Sequence, residues 1–232
     1  MKKFVNLALA IAAATACSVA SADMITFEST APDVFNGGHV FSEGLTKLTV
    51  LGPVHGFLGA TVAAGDGFAC LLLTCPKGNP SSYYLGLNDG GLSVEYTAGG
   101  PIRLQSLDFG FAAPLPGVIG FTVGQLQVTG TRANGTTASI AKDFSGQDAN
   151  GNFGFTPWNI SGSFLTFSQT DFKSITFNAC LFDGTGACTT FGANQAQFAI
   201  DNIAVAVPEP STWLLMGLGL AGVGAFARRK SV

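Results

Sequence analysis

Residues 197–210 read Gln197-Phe198-Ala199-Ile200-Asp201-Asn202-Ile203-Ala204-Val205-Ala206-Val207-Pro208-Glu209-Pro210. In an extended chain Phe198 and Ile200 share one face, whereas Ile203, Val205 and Val207 take the opposite phase. A strand running through both halves therefore needs a bulge or a change of sheet near Asp201. Pro208 and Pro210 end it, because proline cannot donate to a ladder. Asp201 lies inside an apolar last strand and requires a partner, since an unpaired buried carboxylate is costly.

Working outward, the same period-two alternation recurs at Leu48 and Val50, at Leu107 and Phe109 opposite Leu104, Ser106 and Asp108, at Phe121 and Val123, at Leu126 and Val128, and at Ile175 and Phe177. Such runs read as half-buried strands. Asn88-Asp89-Gly90-Gly91 and Asn134-Gly135 are residues that accept positive φ, and both predict hairpins. No stretch of eleven or more residues between the termini keeps a helical stripe. The pattern predicts an all-β protein, an antiparallel β-sandwich of nine or ten strands, jelly-roll-like in topology.

Composition narrows the chemistry. Only 11% of the 232 residues are charged, against roughly 25% in an average soluble domain. Glycine (31) and phenylalanine (20) are abundant, and the formal net charge is −3, which argues against a sequence-independent grip on nucleic acid. Between the termini, six cations (Lys47, Lys77, Arg103, Arg132, Lys142, Lys173) face thirteen acids, a net of −7. An acidic body suits divalent cations better than anionic polysaccharide. There is no Gly-x-Ser-x-Gly elbow and no His-Glu-x-x-His, and the two histidines, His39 and His55, sit beside glycine in loop-like sequence. No carboxylate pair stands out, although Glu95 and Asp108 are of the right type. The expectation is a protein without catalytic residues.

Both ends differ from the body. Met1 to Ala22 places Lys2 and Lys3 before an uncharged apolar run that closes on Ala20-Ser21-Ala22, the three parts of a signal peptide removed by signal peptidase. The organisation predicted is a signal peptide over 1–22, a sandwich over 23–206 and a tail over 207–232. Once Cys17 leaves with the signal, four cysteines remain, and an even number in an exported chain reads as disulfides. Of three pairings, Cys70 with Cys75 and Cys180 with Cys188 is preferred, because each pair brackets a loop rich in turn formers. A four-cysteine zinc site lacks the Cys-x2-Cys spacing.

In the tail, Pro208-Glu209-Pro210-Ser211-Thr212 precedes the uncharged stretch Trp213 to Ala227 and then Arg228, Arg229 and Lys230. The stretch is just adequate as a membrane helix once Ser211 and Thr212 are added, and the three cations act as its cytoplasmic stop. This combination resembles the PEP-CTERM sorting signal of Gram-negative bacteria. Gln197-Phe198 followed by Asp201 is similar to the Gln-Phe-x-x-Asp subfamily. The resemblance implies transient membrane insertion, recognition of Pro208-Glu209-Pro210 by an exosortase, and release to the cell surface or extracellular polysaccharide. There the role would be structural or adhesive, in exopolysaccharide or biofilm. A permanently anchored envelope protein and, more remotely, a secreted polysaccharide-active enzyme are the alternatives.

The opening Phe27-Glu28 and the closing Ile200-Asp201-Asn202 also look like jelly-roll carbohydrate-binding modules. That resemblance implies a structural Ca²⁺ held by Glu28 and Asp201 between the first and last strands. Asp201 bonded to the protein at a bulge, without metal, is the other reading. Asp148-Ala149-Asn150-Gly151-Asn152 has a fragment of a calcium loop but reads as a plain turn. Tyr83-Tyr84 is the pair expected to be exposed, as a sugar-stacking platform.

Overall fold

The computed structural model describes residues 21–64, 70, 74–112, 123–183, 185–189, 196–208 and 217. Most of the expected signal peptide, the expected tail helix and Phe121 lie outside the described residues. Among those described, no helix is long and apolar enough to cross a membrane. A compact body runs from Ala22 to Val207.

The strands are β1 (Ser21–Ile25), β2 (Asp33–Phe35), β3 (Val40–Glu43), β4 (Thr46–Leu51), β5 (Gly59–Val62), β6 (Tyr83–Gly86) and β7 (Gly91–Tyr96). They continue as β8 (Arg103–Phe111), β9 (Gly124–Thr131), β10 (Thr137–Asp143), β11 (Thr156–Asn159), β12 (Ser174–Phe182), β13 (Cys188–Thr189) and β14 (Phe198–Val207). Two single-turn helices, α1 (Ile160–Ser163) and α2 (Leu165–Ser168), precede β12. The first sheet has the order β11-β8-β14-β6-β5-β2 with β1 also on β14; the second has β10-β9-β12-β7-β4-β3 with β13 on β12. Described registers between strands are antiparallel. The fold is an all-β, two-sheet sandwich.

The alternation has its expected cause. Along β4 the burial pattern repeats every second residue, with Leu48 and Val50 inward; β9 and the first part of β12 do the same. Phenylalanine fills the space between the sheets, with Phe27, Phe109, Phe144, Phe153, Phe172, Phe177 and Phe198 fully buried beside Trp158 and Tyr84. At one open side the Lys142 ammonium lies 5.6 Å from the Phe109 ring centre and 5.9 Å from that of Trp158, and donates to the Pro157 carbonyl at 3.1 Å. Its stem covers the apolar edge while its charge stays outside.

The bulge expected near Asp201 is present. The register of β14 on β8 shifts between Asp201 and Ala204 and again before Val205, and Asn202 has φ +49°. Both strands change phase together: Leu104 and then Leu107 point inward on β8, as do Ile200 and then Ile203 on β14. One hairpin signal holds and one does not. Asn134-Gly135 joins β9 to its partner β10, with Gly135 at φ +82°. Asn88 and Asp89 are both left-handed (φ +49° and +62°) and make a turn, but it carries the chain from β6 in one sheet to β7 in the other. The turn residues set a reversal, whereas burial on both faces of β6 decides that its partners are β5 and β14.

Candidate functional site

The two outer faces of the sandwich are built differently. Around β5, β6 and the start of β14 in the first sheet the outward side chains are apolar: Ala60, Val62, Tyr83, Leu85, Ala112 and Ala199 form a second small core with Cys75. A strap leading up to β6, described at residues 70 and 74–82, packs on them through Cys70 and Cys75. It is stapled by the Cys70–Cys75 disulfide, whose pairing is as expected, and it bridges at Lys77 to Gly154. Pro76 lies so close to Gly110 of β8 that a Cβ there would meet it at 2.8 Å. Cys180 and Cys188 also pair as expected, tying β12 to β13.

This arrangement corrects the reading of the tyrosines. Tyr84 is 0% and Tyr83 6% exposed, so neither offers a platform. Adjacent residues in a strand point to opposite faces, and here both faces are covered. Tyr84 points into the main core and donates to the Gly91 carbonyl at 3.2 Å, and burial drives its hydroxyl pKa upward. Tyr83 meets Phe155 edge-on at 5.3 Å.

The strap returns to the sheet through Asn79-Pro80-Ser81-Ser82, and there Glu28 and Asp201 meet it. Asp201 Oδ2 accepts from Asn79 Nδ2 (2.8 Å) and Ser81 Oγ (2.6 Å). The Glu28 carboxylate accepts from Ser82 N (2.8 Å) and Ser82 Oγ (3.1 Å). Both carboxylates singled out in the sequence thus converge on one four-residue segment. Asp201 is fully buried, and its Oδ1 has no hydrogen-bond partner among the described residues. Burial raises its pKa, opposed by the hydrogen bonds from Ser81, Asn79 and the Asn202 backbone and slightly assisted by the charge of Asp108 opposite it. Asp108 in turn accepts from Asn202 Nδ2 at 2.8 Å. Among the described residues no group of three or more His, Cys, Asp or Glu is placed to hold a metal. The carboxylates of Asp201 and Glu28 and the serine hydroxyls are hard oxygen donors, the ligand class that Ca²⁺ takes.

A third carboxylate escaped the sequence reading. Glu43 is buried, and its Oε1 accepts from Thr26 N (2.9 Å), Thr26 Oγ1 (3.1 Å) and Phe27 N (2.8 Å). It holds the bend at Phe27 (φ +58°) that sends Glu28 toward Ser82. The signal was available, because Glu43 shares the inward phase of Phe41 in β3. Asp148 does form a plain turn, and Asp183 forms another. Asp148 accepts from the backbone N–H of Asn152 and Asn150, and Asp183 from the Thr185 hydroxyl and N–H and from Ala187 N; these bonds lower both pKa values.

The second sheet leaves its outward side chains half-exposed. Its registers align them in rows across the strands. One row is Ser139, Thr129, Thr176, Ser93 and Thr49, five hydroxyls on five neighbouring strands, spaced about 4.8 Å from strand to strand. A second row places Gln127 beside Asn178. The charges on these strands' outward positions are few: Lys47 and Glu95 pair at 3.0 Å, and Asp143 accepts from Gln125 at 2.9 Å. In a body of net −7 this is a nearly neutral field of hydroxyls and amides.

Of the sorting residues, Pro208 follows β14 directly, while Glu209, Pro210, Arg228, Arg229 and Lys230 lie outside the described residues. The PEP-CTERM protein-sorting motif matches residues 206–230; the Gln-Phe-x-x-Asp subfamily has no such support. No curated protein matches the chain. Among solved structures, the CBM22-1 xylan-binding domain of Paenibacillus barcinonensis Xyn10C is 13% identical, with 84% of this chain and 100% of that one covered and a TM-score of 0.36. The C-terminal family 22 carbohydrate-binding module of Clostridium thermocellum Xyn10B is 13% identical, with 80% and 91% covered and a TM-score of 0.35. TmCBM61, solved with β-1,4-galactotriose, is 9% identical, with 69% and 88% covered and a TM-score of 0.34. Similarity this low carries no statement about ligand or chemistry for this chain.

Proposed function

We propose that this chain is an exported bacterial surface protein, sorted by an exosortase through its C-terminal tail, whose body adheres to extracellular polysaccharide. The sorting motif at 206–230 is the observation that carries the reading. The adhesive surface is the outer face of the second sheet. Its hydroxyl and amide rows offer donors and acceptors at a regular spacing with almost no charge, which fits a neutral glycan chain and disfavours an anionic one. Without an aromatic platform each contact is weak, so retention comes from many copies engaging one polymer. The body has no catalytic role in this reading.

Glu28 and Asp201 would hold a structural Ca²⁺ where the strap meets the last strand. The ion would neutralise the buried Asp201 carboxylate and fix the strap.

Intact mass of the protein recovered from the surface fraction of its native host tests the sorting. The expected species starts near Asp23, ends near Pro208 and gains about 4 Da on reduction of two disulfides. A species still carrying Arg228 to Val232 contradicts the sorting and makes the tail an anchor.

A further inference from the structure

The sorting motif begins inside the fold. Its match starts at Ala206, yet Ala206 and Val207 are the last residues of β14. Val205 and Val207 are buried, at 1% and 6% exposed. Val205 pairs with Leu104 and Ala206 with Arg103, and β1 also pairs with β14, so the strand lies within the sheet rather than at its edge. No spacer separates it from Pro208.

A peptide recognised in an enzyme cleft is commonly held extended, through main-chain hydrogen bonds over several residues. Upstream of Pro208 those main-chain groups are committed to β8. We propose that the folded body gates the processing of its own tail: the sorting enzyme acts on the fraction of molecules in which the end of β14 has left the sheet. This rests on the reading that the tail is processed at Pro208-Glu209-Pro210. The bulge defines what opens. The ladder is interrupted between Asp201 and Ala204 and again before Val205, so Ala204–Val207 peels as a short unit. Phe198, Ala199 and Ile200 meanwhile stay paired with β8 on one side and β6 on the other. When opening and closing are fast, the processing rate follows the open population.

The test locks the end of the strand. Ala206 and Arg103 are facing Cα partners on the outward side of the sheet, at a separation that suits a disulfide. The Arg103–Asp171 ion pair lost in the variant is exposed and worth little. Arg103→Cys with Ala206→Cys, a six-residue Gly-Ser insertion between Val207 and Pro208, and the two combined are expressed in the native host, and tail removal is followed by pulse-chase and intact mass. The lock slows removal by at least about tenfold, the spacer speeds it several-fold, and the spacer restores the locked chain. Oxidation of the introduced pair is read directly from the mass. Removal from the locked chain at the wild-type rate, or a spacer without effect, overturns the gate. A wild-type chain that never loses its tail overturns the sorting reading instead.

Discussion

The two sheets share a core but differ on their outer faces. Outward positions of β5, β6 and β14 in the first sheet carry Ala60, Val62, Tyr83, Leu85 and Ala199, and these are buried in contact with the strap's Cys70 and Cys75 and with Phe155. Outward positions of β4, β7, β9 and β12 in the second carry Thr49, Ser93, Thr129 and Thr176, and these stay half-exposed. An apolar outer face must be covered because about 25 cal/mol is recovered for each Å² removed from water. A hydroxyl face needs no cover and stays available to a ligand. The strap therefore serves stability, and the bare face is the surface proposed for attachment.

The largest test of this division is Tyr83→Ala. Removing a buried aromatic from the covered outer face costs about 3–5 kcal/mol, measured by chemical denaturation. Thr176→Val on the bare face changes stability by no more than about 0.5 kcal/mol. Equal effects would break the comparison.

Next in size is the junction where strap and last strand meet. Asp201→Ala leaves Asn79 and Ser81 without their acceptor and costs about 2–3 kcal/mol. Asp201→Asn keeps one accepting oxygen and costs less than about 1 kcal/mol in the absence of metal. With Ca²⁺ in place, EDTA lowers the melting temperature of the wild type and leaves that of Asp201→Asn unchanged. A wild-type melting temperature indifferent to EDTA, with Glu28→Gln still lowering it, assigns the carboxylates to the strap alone.

The smallest effect is on pH, and it has opposite signs in the two kinds of site. Asp201 holds its proton more tightly in the fold than unfolded, so its contribution to stability falls as pH rises from the unfolded value near 3.9 through its raised folded value. Asp148 and Asp183 have lowered values. Their contribution is present above about 3.9 and is lost as pH falls through their folded values. Hydrogen exchange in acid should loosen the turns at 148–152 and 183–187 while β14 around Asp201 stays protected. Simultaneous loosening would contradict the assignment.

The sequence made half of this division legible. Alternation in β4, β9 and β12 showed strands with one buried and one wet face, and the phase change across Asp201 located the bulge. Cysteine spacing showed both disulfides. The covered face was harder to read, because Tyr83-Tyr84-Leu85-Gly86 does not alternate. Strands buried on both faces lose the period-two signal, and adjacent tyrosines were read as exposed when one enters each core. Glu28 and Asp201 could be chosen by residue type. Their shared partner, Asn79 to Ser82, lies more than fifty residues from Glu28 and about 120 from Asp201, and no local pattern announces it. The hydroxyl row was invisible for a similar reason. It exists only once register aligns Ser139, Thr129, Thr176, Ser93 and Thr49.

The most direct test of the central claim is retention of the folded body on neutral and anionic polysaccharides, compared with a Ser93→Ala, Thr129→Val, Thr176→Val variant of matched stability. Wild type should be retarded on a neutral polymer and not on an anionic one, and the variant should lose that retention while keeping its melting temperature. Undiminished retention by the variant would contradict the assignment of the bare face.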